Sequence, residues 1–226
     1  MTQDCVGRTT ELLDSARSTA DATERAGLLA EARAALADCL KTEADSAELN
    51  YLAGIVMYDS FCIDERYGEK AERYLLRTNE LDPAHQFARL YLGHYYYDTE
   101  QYGRALDYFL SIDEQYFTAI EQQWRVLKLH ELILCCRMFV GAPELTEHSF
   151  EALAEEYLAA PSEDVPVPSK LVDAFQKTAT DSLWSRLDRG TVKEGIIRFI
   201  ERLDFSEGFK LQLINDLSQT PHRQPS

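Results

Sequence analysis

Glycine and proline are scarce in this chain, with ten and seven in 226 residues. A fold of many short strands and tight turns needs more of both. Positive charge is scarce as well: 23 Lys+Arg stand against 39 Asp+Glu, and 23 − 39 gives a net charge of −16. Such a surface repels phosphate backbones and anionic lipid headgroups, so neither nucleic acid nor a membrane is expected as a partner. Long apolar runs are missing. The longest patch, around Leu132 to Val140, is broken by Arg137, and spanning a bilayer takes about 18–20 apolar residues. The first residues, Met1-Thr2-Gln3-Asp4-Cys5, have no basic start and no apolar stretch behind them. That excludes an ordinary secretory signal and makes a cytoplasmic location the expectation. Five cysteines, Cys5, Cys39, Cys62, Cys135 and Cys136, form an odd, scattered set without CxxC spacing. They are expected as buried or half-buried free thiols, not as a disulfide framework or a zinc site.

What is present is enough to fold. Hydrophobic residues make up 45% and aromatics 11%, which is sufficient for a packed core. Ala, Leu, Glu, Arg and Gln dominate, and these are good helix formers. Ala26, Leu29, Ala30, Ala32, Leu36 and Leu40 recur mostly at three- and four-residue intervals, the period of a helix face. The whole chain reads as α-helices joined by short turns. Leu81-Asp82-Pro83 ends one helix. Gly141-Ala142-Pro143 ends another and starts the next. Pro161 to Pro168, with three prolines in eight residues, reads as a linker. Thr191 to Glu194 has capping-box spacing after Gly190, and Ser206 can cap the last helix.

Self-comparison of the sequence gives a repeat. Residues 86–119 contain Leu92-Gly93, Tyr96, Tyr102, Ala105 and Phe109. Gly93 and Ala105 are small where two helices must approach closely, while Leu92, Tyr96 and Phe109 fill the space beside them. Tyr102 plugs the end of the helix pair at its turn. In type and spacing these residues resemble the tetratricopeptide repeat, a 34-residue helix–turn–helix unit. Arg89 stands where a bulky residue is common in that family, and Phe117 where the closing proline is common. Residues 47–85 repeat the pattern with Gly54, Ala71, Leu75 and Pro83. Gly54 to Ala71 is 17 residues against 12 for Gly93 to Ala105, so five extra residues sit in the turn around Phe61 to Gly68. Weaker units are expected at about 13–46, with Ala32 and Leu36 on its second helix, and at 120–160, anchored by Trp124 and Leu127.

The resemblance implies an all-α, right-handed α-solenoid of such helix pairs over residues 1–160. A proline-rich linker at 161–168, a helical cap at 169–220 and a tail at 221–226 follow. It also implies a concave groove, lined by the first helix of each unit, that binds peptides or protein segments. Its lining maps to Glu48, Tyr51, Ile55, Tyr58 and Asp59 in one unit and to Phe87, Leu90, His94, Tyr97 and Asp98 in the next. In the helix after that it maps to Gln122, Arg125, Leu129 and Leu132. Some chaperone adaptors of this family grip a terminal carboxylate with Lys, Asn and Arg. Tyr51, Ile55 and Leu90 stand in those places, so that clamp is not expected. An aromatic groove with acidic spots prefers an apolar segment carrying Lys or Arg. The competing expectation is that the C-terminal helices fold back and fill the groove, because Trp184, Ile196, Ile197, Phe199, Ile200 and Leu203 need burial somewhere.

The charge is uneven. Residues 1–168 hold 14 basic and 31 acidic residues, 14 − 31 = −17, and residues 169–226 hold 9 and 8, 9 − 8 = +1. An acidic repeat region can steer a basic protein partner. No catalytic arrangement is legible: His130-Glu131 lacks the second histidine of HExxH, and GxSxG, GxGxxG and GxxxxGK[ST] do not occur. His85, in a turn, is expected to be exposed, and His94 is the one histidine on the inferred groove. The expectation is a non-enzymatic protein-binding scaffold without cofactor or metal, of inhibitor, immunity or chaperone-adaptor type, for a basic or apolar protein or peptide. A self-associating structural adaptor is the alternative. An enzyme with an unrecognised helical site is a distant third.

Overall fold

Helix starts follow side-chain chemistry along the chain. Asp21 accepts the Thr23 and Glu24 N–H groups at the start of α2, and Ser46 accepts Leu49 N–H at the start of α3. These oxygens satisfy backbone donors that have no partner inside the helix. In the computed structural model, residues 2–161, 165–178 and 188–218 are described. Among them the chain is helical without a strand: α1 Thr2–Ser18, α2 Ala22–Thr42, α3 Ala47–Phe61, α4 Gly68–Leu81, α5 Gln86–Asp98, α6 Tyr102–Leu110, α7 Glu114–Ala119, α8 Gln123–Val140, α9 Glu147–Ala159, α10 Ser169–Thr178, α11 Arg189–Arg202 and α12 Glu207–Asp216. None of these helices is long and apolar enough to cross a membrane.

The chain divides into two compact units, Met1–Ile112 and Asp113–Ser226. The boundary between these units falls before α7. In the first unit consecutive helices pack as hairpins, α1 on α2, α3 on α4 and α5 on α6, and α2 also packs on α3 and α4 on α5. α1 touches α3, and α3 touches α5. The close approaches fall at the small residues. A Cβ on Gly54 would meet Leu75 at 2.6 Å, and one on Gly93 would drive into the Phe109 ring. Ala71 and Ala105 are fully buried beside them. Leu13, Ala16, Leu29, Ala32, Leu36, Leu49, Leu52 and Val56 join the first two hairpins in one core; each large apolar side chain so buried contributes about 1.5–3 kcal/mol.

The first hairpin starts earlier than the 13–46 unit expected, because α1 begins at Thr2. This placement also corrects the cysteine expectation. Position 5 of α1 lies opposite position 39 of α2, and Cys5 and Cys39 form a disulfide with their Cα atoms 6.6 Å apart. Cys135 and Cys136 are buried and in no disulfide, as expected, and burial pushes the Cys136 thiol up to about 12. Cys62 is in no disulfide and is exposed. Arg89 has its own use at the family's bulky position: its guanidinium donates to Pro83 O and Ser111 O, tying two turns together. His85 is half-buried, not exposed. Its Nδ1 accepts Ala88 N–H as the cap of α5, and its ring lies 4.5 Å from Tyr51.

In the second unit α8 and α9 touch, as the helix pair expected at 120–160 requires, but each packs more extensively on another helix. α8 packs chiefly on α10, and α9 packs chiefly on α11. Trp124, taken as the anchor of that pair, is exposed, whereas Leu127 is buried. α8 stops at Gly141, whose φ of 63° suits glycine. α9 begins only at Glu147 behind Thr146, so Pro143 starts no helix. Gly195 of α11 makes the close approach here: a Cβ would meet Phe150 of α9 at 2.6 Å. Ile196, Phe199, Ile200 and Leu203 are buried within this unit; Trp184 lies outside the described residues. The cap of α11 is Asp188, which accepts Gly190 N–H, in place of the capping box expected at Thr191. Ser206 caps α12 as expected.

Candidate functional site

The neighbouring helices α1, α3 and α5 build an aromatic and acidic face in the first unit. On α5, Phe87, Tyr91, His94 and Asp98 follow one another at intervals of four, three and four residues, one stripe of a helix. On α3, Tyr51, Tyr58 and Asp59 face the same region. Ring centroids run from Phe87 to Tyr51 at 6.2 Å, Tyr51 to Tyr91 at 6.2 Å, Tyr91 to Tyr58 at 5.6 Å and Tyr91 to His94 at 6.2 Å. These separations are ordinary for edge-to-face and tilted pairs. Phe87, Tyr51, Tyr91, Tyr58 and His94 are all half-buried, so each keeps part of its ring at the surface.

Two carboxylates flank the rings. The Tyr58 hydroxyl donates to Asp98 Oδ2 at 2.5 Å. Burial, reinforced by the Asp98 charge, holds that hydroxyl above the ordinary tyrosine range, so it stays a donor. Asp59 is met from α1. Arg17 Nε donates to Asp59 Oδ2 at 2.7 Å, Nη2 reaches Oδ1 at 3.4 Å, and Nη2 also donates to the Tyr91 hydroxyl at 3.0 Å. Burial works to lower the Arg17 pKa, yet the hydrogen bond and charge of Asp59, with Tyr91, leave it above the ordinary arginine value. Beside this contact a pocket of about 260 Å³ is lined by Ala16, Arg17, Arg25, Leu29, Asp59, Cys62 and Ile63. Arg25 donates to Ala16 O and Thr19 O and so closes the end of α1.

The residues expected on the groove divide by burial. Tyr51, Tyr58, Asp59, Phe87, His94 and Asp98 lie on or beside the ring face, and Glu48 is exposed in the first turn of α3. Ile55, Leu90 and Tyr97 are instead buried, at 3%, 3% and 8% exposure, so they meet no ligand without a rearrangement. The register explains this: positions 90 and 97 are one step off the 87–91–94–98 stripe. In the second unit Gln122 and Arg125 are half-buried and Leu129 and Leu132 are buried. The Arg125 guanidinium lies 4.2 Å from the Trp124 ring, and its Nε donates to Gln122 at 2.5 Å.

Sequence reading missed Tyr91 and Arg17. The helical spacing of Tyr91 with Phe87 and His94 was a usable signal; Arg17 had none, because its carboxylate partner is 42 positions away. In the five-residue insertion, Asp64 caps the turn and pairs with Arg66 at 2.6 Å, and Arg33 reaches over Tyr67 at 4.4 Å. In comparisons with known proteins, no protein-family model matches the chain, and no curated protein shows significant similarity to it.

Proposed function

We propose that the chain is a non-enzymatic, TPR-like protein-binding scaffold. Its α1–α3–α5 face takes an apolar segment bearing arginine or lysine from a basic partner. The observation that carries this reading is the run of half-buried rings, Phe87, Tyr51, Tyr91, Tyr58 and His94, bordered by Asp59 and Asp98. Aromatic rings bury large apolar area with few rotatable bonds to freeze, and the neighbouring carboxylates favour a cation over an anion. The overall charge of −16 adds a field that speeds encounter with a basic protein. On this reading the first three hairpins stack as a short right-handed solenoid, and the acidic surface serves an inhibitor or adaptor role. The Cys5–Cys39 disulfide belongs more naturally to an oxidising compartment than to a reducing one, so it lends no support to the cytoplasmic expectation.

The test is capture of native partners at low and high salt, with the wild-type chain and a Tyr51→Ala/Tyr91→Ala variant side by side. Basic partners that elute as salt rises, and that the variant fails to retain while its Tm stays within a few degrees, support the reading. Acidic partners, or equal retention by the variant, sink it.

A further inference from the structure

Arg17 brings a guanidinium to the place where the ring face meets the Asp59 carboxylate. Its planar fork meets both Asp59 oxygens, through Nε at 2.7 Å and Nη2 at 3.4 Å, and the Tyr91 hydroxyl at 3.0 Å. Three acceptor atoms placed for one fork match a guanidinium; a lysine ammonium, a compact charge on a flexible stem, lacks that planar geometry. The contact is only partly shielded, with the Arg17 side chain 41% exposed and Asp59 19% exposed, so water screens it. Arg17 sits in the last turn of α1, and the backbone there is fixed independently by Arg25 through Ala16 O and Thr19 O. The side chain can therefore swing away without unwinding the helix. The adjoining pocket of about 260 Å³, with the exposed Ile63 on its wall, offers apolar surface to an aliphatic stem.

We propose that Asp59 and Tyr91 form a guanidinium subsite, that Arg17 is its resident occupant, and that an arginine side chain of the partner takes Arg17's place. This rests on the ring face being a partner-binding surface and sharpens it: the partner supplies arginine and not lysine, and the chain's own arginine sets the threshold for binding. An internal competitor reduces apparent affinity by the fraction of time it leaves the site open, so its removal tightens binding.

The probe is Nα-acetyl-arginine methylamide, titrated by NMR into the full-length wild-type chain, Arg17→Ala, and Arg17→Ala/Asp59→Asn. We expect Arg17→Ala to bind it about tenfold more tightly than the wild type, the double variant to lose that gain, and the corresponding lysine derivative to bind about tenfold less well. Equal affinity in wild type and Arg17→Ala, a gain that survives Asp59→Asn, or equal binding of the lysine derivative overturns the proposal. Should Arg17→Ala fail to fold, wild-type protein labelled with ¹⁵N-arginine decides. Saturating probe must move the Arg17 Nε–H resonance towards its free-arginine position, and an unmoved resonance refutes displacement. The small probe reads the subsite without any partner. A captured partner that needs Tyr51 and Tyr91 but tolerates Arg→Lys replacement in its own segment would leave the protein-binding reading standing and remove the subsite alone.

Discussion

His130 should make the second unit less stable as the solution becomes alkaline. Its ring on α8 reaches Glu156 of α9 through Nδ1 and Glu114 of α7 through Nε2 at 2.8 Å. Both nitrogens can donate to these carboxylates only when the ring is doubly protonated. The hydrogen bond to Glu156 raises the His130 pKa first, burial opposes it, and Glu114 raises it further, to about 9 from 6.5. The native state thus holds the proton more tightly than the unfolded chain does. That stability is fully present below about pH 6.5 and is lost as pH rises through about 9. A shift of that size sets a ceiling of about 3 kcal/mol. Glu114 and Glu156 are 50% and 41% exposed, so solvent screening leaves about 1 kcal/mol. The assay is urea unfolding followed by tryptophan fluorescence between pH 6.5 and 9.5, comparing wild type with His130→Gln to cancel other titrating groups. The wild type should lose about 1 kcal/mol more than the variant across that window. Parallel pH profiles, or an NMR titration placing His130 near its ordinary value, would refute the reasoning.

Other perturbations test the packing. Gly93→Ala puts a methyl into the Phe109 ring and should cost about 1–3 kcal/mol through overpacking; an unchanged denaturation midpoint contradicts the close approach. Glu131 is fully buried, pairs with Lys128 at 2.6 Å and accepts Leu171 N–H at the start of α10. Glu131→Ala should therefore cost about 1–3 kcal/mol by leaving the buried Leu171 N–H without its acceptor, read by thermal unfolding, and an unchanged midpoint argues against that contact. Reduction of Cys5–Cys39, which spans 34 positions, should lower stability by about 2–4 kcal/mol. Alkylation of the unfolded, unreduced chain should label three of the five cysteines; labelling of all five would remove the crosslink.

Much of the first unit was legible because its signals are local. Gly54, Gly93, Ala71 and Ala105 are spaced by helix geometry and are buried at helix crossings. Pro83 ends α4 wherever it packs, because proline lacks the N–H that a helix needs. The ring face was half-legible: Tyr51, Phe87, Tyr58 and His94 sit on it, but a borrowed register placed the buried Leu90 and Tyr97 there and passed over Tyr91. The Phe87–Tyr91–His94–Asp98 spacing, read on its own period, would have selected the stripe.

By itself, then, the sequence determined the helices, their breaks, the small-residue crossings and the acidic balance, since each follows from residues within a few turns of one another. Tertiary structure decided what depends on distant partners. It joined Cys5 to Cys39, brought Arg17 to Asp59 and Tyr91, set His130 between Glu114 and Glu156, and packed α8 with α10 and α9 with α11. Helical periodicity fixes which face of a helix is apolar; it does not fix which other helix covers that face, because any apolar stripe of similar width buries it almost equally well.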